Sequence, residues 1–413
     1  MRRVAVTGIG VLSPLGSGAQ QNLHHAMAGR SGVHCLNAPW SNRLQAPLAA
    51  TTQFDGAIHF AGAKLRMLDR ITQLALVATA QALQDASISL AICDRSRVGV
   101  FVGTAMGGTQ STDDGYQTLY GERSDRIKPF SVLMGMYNAP AAWIAIEHDI
   151  VGPNLSFSTA CSSSAVAIGE AWLRIAHGEL DLAIAGGSEA PLAFGAMKAW
   201  EALHTLASID VEDPSTSRKP FSRDRTGMVL GEGAAMLILE PWDLALARGA
   251  RIHGEILGYG LASDCAHITR PTVAGQARAL RSALQSAALP PESIDAINAH
   301  GTGTPANDAV ETAAIKEVFG THASQLMISA TKSMHGHLLG AAGALECALS
   351  LLAMKQNVAL PTMHLKTSDP ECDLDYVANH VRQGVSITHM LCNSFAFGGS
   401  NAVLVLGAVD PPT

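Results

Sequence analysis

The feature that most constrains the fold is an echo between the two halves of the 413-residue chain. In the first half, "LSFSTACSSSAVAIGEAWLRIAHGELDLAIAGG" reads as strand, tight turn, helix, strand. In the second, "MISATKSMHGHLLGAAGALECALSLLAMKQ" reads as strand, turn, small-residue helix. Around both, short β-branched runs alternate with helical patterns: "RRVAVTGIG", "DRITQLALVATAQALQDA", "RVGVFVGTA", "AMLILE" and "IDAINAHG". That alternation is the rhythm of an α/β protein whose sheets are covered by helices. Sheets of this kind bury both faces, so their strands read as continuous apolar runs. Two similar halves, 1–250 and 251–413, are therefore expected to face each other. The join falls near "EPWDLALARGARIHGEILGYG", where a polar helix gives way to a new strand. No low-complexity linker separates the halves, which predicts one compact body.

Composition excludes several functions. Charged residues make up 15% of the chain, against roughly a quarter in an ordinary soluble domain, and 39 glycines accompany them. This predicts much buried surface, including a subunit interface. A net charge of −7 argues against a nucleic-acid footprint, which is usually basic. The seven cysteines are scattered, odd in number and free of any C-x-x-C pattern, so neither a disulfide framework nor a zinc site is indicated and a reducing cytoplasm is expected. The opening "MRRVAVTGIGVLSPLG" places two arginines before apolar residues, as a signal peptide does, but glycines break the run, which predicts a first strand and turn. "LLGAAGALECALSLLAM" is too short to span a bilayer and carries Glu346 and Ser350, so it reads as a buried helix rather than a membrane segment.

Four stretches hold residues suited to chemistry. Cys161 lies between an extended segment and a small-residue run that opens a helix. The positive end of that helix favours thiolate, the attacking form. Alone, a single cysteine is more often a small core residue. In "NAHGTGTPANDAVE", His300 ends an apolar strand, Thr302 and Thr304 supply hydroxyls, and Pro305 suits a helix start. Asp308 and Glu311 then share one helix face. In "ATKSMHGHLLGAAGALE", Lys332, His335 and His337 sit at a strand-to-helix turn, and Glu346 falls within an apolar helix, where it needs a partner such as Lys332. The two histidines have no third ligand at a recognisable spacing, so no metal is expected. In "CNSFAFGGSNAVLVL", Phe395 and Phe397 adjoin a Gly-Gly turn between two strands. The early "TGIGVLSPLG" is no dinucleotide fingerprint, because Ser13 occupies its third glycine position.

Taken in order, "TACSSS", "AHGTGTPANDAVET", "TKSMHGHLLGAAG" and "NSFAFGGSN" resemble the β-ketoacyl synthase family, the condensing enzymes of fatty-acid and polyketide assembly. The resemblance runs over nearly the whole chain. It implies a thiolase-like α/β fold of two duplicated βαβαβαβ halves in a five-layered αβαβα sandwich, normally dimeric. The first half would carry the nucleophile and the second the two catalytic histidines and the lysine. It also implies a catalytic set of Cys161, His300, Lys332 and His337, an oxyanion hole from the N–H groups of Cys161 and Phe397, and a gate at Phe397.

By the same resemblance Asp308, Glu311 and Glu346 would surround that set, the first two ordering water or a cation and Glu346 balancing Lys332. Thr302 and Thr304 would bind a phosphopantetheine arm, and Met106 and Phe395 would line the acyl site. Lys64, Arg66 and Arg70 would meet an acidic acyl carrier protein. The implied reaction is decarboxylative condensation of a Cys161-bound acyl chain with a malonyl carrier. It uses no cofactor beyond the carrier's own arm, in a homodimer or a heterodimer with a related subunit. The alternatives are a non-catalytic partner like a chain-length factor, and a thiolase acting on coenzyme A esters. The initiating class of the family fits less well, since His337 stands where it has asparagine. His335 stands where threonine is common, and pointing inward it would alter histidine protonation. The "TACSSSAVA" and "GTGTPANDAVET" stretches look nearer to polyketide ketosynthases than to housekeeping ones.

Overall fold

The structure, a computed structural model, describes residues 1–409. Leaving aside shorter helices and strands in its connections, the first half is built on β1 (Val4–Ser13), α1 (Arg70–Asp85), β2 (Val98–Gly103), α2 (Ala139–Glu147), β3 (Asn154–Phe157), α3 (Ser163–Ala176), β4 (Leu182–Glu189) and β5 (Gly233–Pro241). The second half repeats the sequence of elements. It runs β6 (Gly254–Ser263), α4 (Val273–Ala287), β7 (Ala296–Asn298), α5 (Pro305–Phe319), β8 (Met327–Ser329), α6 (Ala342–Lys355), β9 (His389–Phe395) and β10 (Ser400–Gly407).

Strand order makes the duplication explicit. Across the first sheet it is β1-β5-β4-β2-β3, and across the second β6-β10-β9-β7-β8, the same permutation. Parallel and antiparallel pairings also match: β1, β5 and β4 alternate in direction while β4, β2 and β3 run parallel, as do their counterparts. The sheets join edge to edge where Val4, Ala5 and Val6 pair with Ile256, Glu255 and Gly254. Helices α3 and α6 pack on each other between the sheets, while α1 and α2 cover one outer face and α4 covers the other, with α5 against it. These are the five expected layers.

Local sequence explains the elements. Ala165, Ile168, Trp172 and Ile175 fall at helical spacing and all are buried, which fixes α3 between two apolar sheets. Helix α1 begins where Asp69 accepts the Ile71 N–H at 3.0 Å, an N-cap. The opening segment forms the expected first strand and turn: β1 runs through Ser13 with all ten residues buried, and a turn follows at Pro14 and Leu15. Its glycines serve close packing, since a Cβ on Gly10 would lie 1.9 Å from the Ala78 carbonyl oxygen of α1. The apolar stretch around Glu346 is the buried helix α6, and no helix among the described residues is long and apolar enough to cross a membrane.

Candidate active site

Cys161 stands in a single tight turn, Ala160–Ser162, that leads into α3. Ala160 holds φ at +52°, a left-handed conformation costing an L-residue about 1–2 kcal/mol. The matching turn before α6, Leu339–Ala341, begins with Leu339 at φ +43°. Both halves therefore use the same strained bend to start a central helix. In the first half it lifts the thiol into a cleft lined also by His300, His337, Phe395, Phe397, Thr302 and Thr304.

His337 Nε2 lies 3.0 Å from Cys161 Sγ. The reacting atoms of Cys161, His300 and His337 all fall within 4.8 Å of one another. Hydrogen bonds assign the tautomers. The Leu339 N–H donates to His337 Nδ1 at 3.2 Å, so the ring proton is on Nε2, facing the sulfur. Lys332 Nζ approaches His300 Nδ1 at 3.4 Å, and an ammonium can only donate, which leaves His300 its Nε2–H as well. Burial, followed by the charge of Lys332, holds both imidazoles well below their ordinary pKa. The site thus presents two neutral N–H donors beside a thiol. Three such groups at this distance resemble a metal cluster, but Nε2 atoms bearing protons are donors, not ligands.

The sulfur does not behave as the helix terminus suggested. Burial pushes the Cys161 thiol up to about 11, outweighing Lys332 and the N–H groups of Phe397 and Cys161 that favour thiolate. This corrects the expectation of a depressed pKa. Those two N–H groups nevertheless converge on the sulfur.

Buried charges fix the histidine loop. Lys332 donates to the His300 carbonyl at 2.7 Å and also pairs with Glu346, both side chains being buried. Burial pushes Glu346 up to about 7 in spite of that lysine. Glu311 accepts the N–H groups of His300 and Gly301 at 2.8 and 2.9 Å. Asp308 accepts the Phe221 N–H at 2.8 Å and the Gly303 N–H at 3.2 Å. Each oxygen of these two acids is engaged by protein donors. Gly301, at φ +44°, leaves no room for a Cβ, which would lie 2.6 Å from that of Ala330.

Other expected residues divide. Thr302 and Thr304 line the cleft with their hydroxyls 2.8 Å apart, and Thr304 caps α5 through the Asn307 N–H. Phe395 sets its ring against His300, and Phe397 stacks on Trp200 with centroids 6.1 Å apart. Met106 is not in the cleft wall. It belongs to the apolar cluster behind Cys161, where the Trp200 indole N–H donates to its sulfur at 3.4 Å. The basic trio is largely committed to internal contacts. Arg70 is a strut to Glu232, bonded at 2.6 and 2.7 Å, and Lys64 pairs with Glu147. Arg66 alone stays exposed. His335 is buried outside the cleft lining, its Nε2 3.2 Å from Thr331 Oγ1.

Among the buried charges that escaped the sequence reading, two bear on the site. Glu189, ending β4, accepts from Ala105, Met106 and Gly340 N–H groups and from the Thr104 hydroxyl. The signal was an acid closing the apolar run "LAIAGGSE". Arg218 is fully buried, and "SRKPFSRDR" reads as a solvated basic segment, so nothing local marked it.

The chain matches the family models described as β-ketoacyl synthase, N-terminal domain, over residues 1–245 and β-ketoacyl synthase, C-terminal domain, over residues 253–366. It is 39% identical to the 3-oxoacyl-[acyl-carrier-protein] synthase 2 of Coxiella burnetii, covering 99% of each chain. The chain belongs to the β-ketoacyl synthase family. A 3-oxoacyl-[acyl-carrier-protein] synthase 2 from Staphylococcus aureus is 38% identical over 98% of both chains. Among solved structures, the ishigamide ketosynthase/chain length factor superposes with a TM-score of 0.93 at 33% identity, over 99% of this chain and 100% of that one. A ketosynthase bound to the hexaketide, in complex with its type II polyketide acyl-carrier protein, gives 0.93 at 32% identity with the same coverage. A β-ketoacyl synthase from Burkholderia phymatum gives 0.92 at 35%, again over 99% and 100%. Ketosynthases, one of them of a type II polyketide system, thus share this chain's fold over nearly its whole length.

Proposed function

We propose that the chain is an elongating β-ketoacyl-[acyl-carrier-protein] synthase, an acyltransferase that condenses a Cys161-bound acyl chain with malonyl carrier protein. The observation that supports it most is the convergence of one thiol and two imidazole N–H donors within 4.8 Å. In the first half-reaction Cys161 Sγ attacks an acyl thioester. The tetrahedral oxyanion is held by the Cys161 and Phe397 N–H groups, and the carrier thiol leaves with the sulfur's proton. Covalent capture divides one hard condensation into two easier steps.

In the second half-reaction the malonyl thioester loses carbon dioxide, and its electron pair becomes an enolate. The Nε2–H groups of His300 and His337 donate to the enolate oxygen, stabilising charge that exists only as the bond breaks. The enolate carbon then attacks the acyl-Cys161 carbonyl, forming the carbon–carbon bond and releasing the sulfur, which regains a proton. All electrons come from the malonyl carboxylate, so the reading calls for no cofactor. Thr302 and Thr304, facing each other in the cleft, suit the amides of a phosphopantetheine arm. At the mouth the exposed Arg270 and His267 join Arg66 as groups for an acidic carrier.

A two-subunit assembly belongs to the same proposal. β3 is an open sheet edge, and Leu155 on it, Val151 just before it and Ile146 on the adjoining α2 are exposed. An uncovered apolar edge is a liability, and a second ketosynthase chain covers it.

The purified chain is incubated with acyl carrier protein thioesters and followed by intact mass. An acyl adduct is expected on wild type and not on Cys161→Ala, and malonyl carrier should convert it to a 3-oxoacyl product with release of carbon dioxide. A wild-type chain that takes no adduct overturns the reading in favour of a chain-length-factor-like partner. Acetyl exchange from coenzyme A without carrier overturns it in favour of a thiolase.

A further inference from the structure

Arg218 is a buried charged side chain whose charge is eased by the nearby carboxylates of Asp308 and Glu346 without a direct ion pair to either. It is fully buried, and among the described residues no carboxylate lies within ion-pairing distance of it. A buried charge without a direct ion pair is costly, so its hydrogen bonds carry the explanation for its presence. One terminal nitrogen donates to the Val229 carbonyl at 3.2 Å and the other to the Gly301 carbonyl at 3.3 Å. The Val229 carbonyl is also the acceptor of the His337 N–H, at 2.7 Å. Gly301 directly follows His300. The guanidinium therefore holds the residue that follows His300 and the carbonyl that receives the His337 N–H.

We propose that Arg218 is a positioning residue for the condensation, a two-pronged clamp that keeps the His300 and His337 backbones at a fixed separation. The proposal rests on the ketosynthase reading of the site. A planar fork supplies two donors in one rigid geometry, which a lysine cannot. It completes a pattern at the His300–Gly301 turn: Lys332 holds the first carbonyl, Arg218 the second, and Glu311 both N–H groups. The ring centroids of His300 and His337 stand 5.5 Å apart and nearly perpendicular, so two N–H vectors meet at one oxygen only if both loops are fixed. The cation has a second effect. After burial and Lys332, Arg218 is a further cause that depresses both imidazoles, favouring the neutral donors.

Malonyl carrier decarboxylation kinetics and thermal unfolding are compared for the full-length wild type, Arg218→Met and Arg218→Lys. The clamp predicts folded variants whose kcat falls at least about 30-fold while KM changes less than about threefold. Arg218→Lys should recover only part of the loss. Wild-type kcat in either folded variant overturns the proposal, as does a loss carried by KM alone. Failure of both variants to fold assigns Arg218 to the framework and overturns it too. A wild-type chain that releases no carbon dioxide defeats the ketosynthase reading instead. The clamp is then judged by the ring ¹⁵N resonances of His300 and His337, expected to move in Arg218→Lys; unmoved resonances reject it.

Discussion

At Cys161 two physical effects oppose each other. The N–H groups of Phe397 and Cys161 and the Lys332 charge favour thiolate, while burial favours thiol and wins, with the pKa at about 11. Below that value the thiolate fraction rises tenfold per pH unit, so alkylation of Cys161 by iodoacetamide should accelerate from pH 7 to pH 9 with no plateau. A plateau below pH 8 would show that the helix terminus prevails. Glu189 has a different sensitivity. Its two oxygens receive four donors, so Glu189→Gln turns an amide N–H toward groups that themselves donate. Chemical denaturation should register a loss of about 1–3 kcal/mol.

At the scale of elements, α6 carries Glu346 and the short helix Lys332–His335 carries its partner. Removing one member of a buried pair strands the other, so Glu346→Ala should cost about 3–5 kcal/mol in denaturant titration. Helix α1 rests on β1 through the missing side chain of Gly10. Gly10→Val forces the two apart, and a destabilisation of about 3 kcal/mol is expected from thermal unfolding. Elements of this kind were legible in the sequence where one residue type announces one geometry: Thr304-Pro305 begins α5, and the lone acid in an apolar helix pointed to Lys332. Legibility failed where a residue's partner is remote. The packing role of Gly10 was not visible because the Ala78 carbonyl it accommodates is a different element's. Arg70 was read as a surface cation because Glu232, 162 positions away, is not visible locally.

At the scale of the molecule, the two-subunit assembly proposed for the open edge at β3 predicts that wild type sediments as a dimer and that Leu155→Lys shifts it toward monomer; a Leu155→Lys chain that stays dimeric would place the interface elsewhere. The repeat of strand order was foreshadowed by the echo of strand, turn and helix, but its permutation depends on long-range pairing that no local pattern encodes. The strained bend before α3 and α6 shows how the copies diverged. In one the position after the bend is Cys161. In the other it is Gly340, whose N–H is bound by Glu189 at 2.9 Å and whose added Cβ would lie 2.4 Å from the Ala105 nitrogen. That corner has neither the space for a nucleophile nor an amide to spare for an oxyanion. A doubled architecture therefore houses a single workshop: saturating acyl donor should load one equivalent per polypeptide, never two.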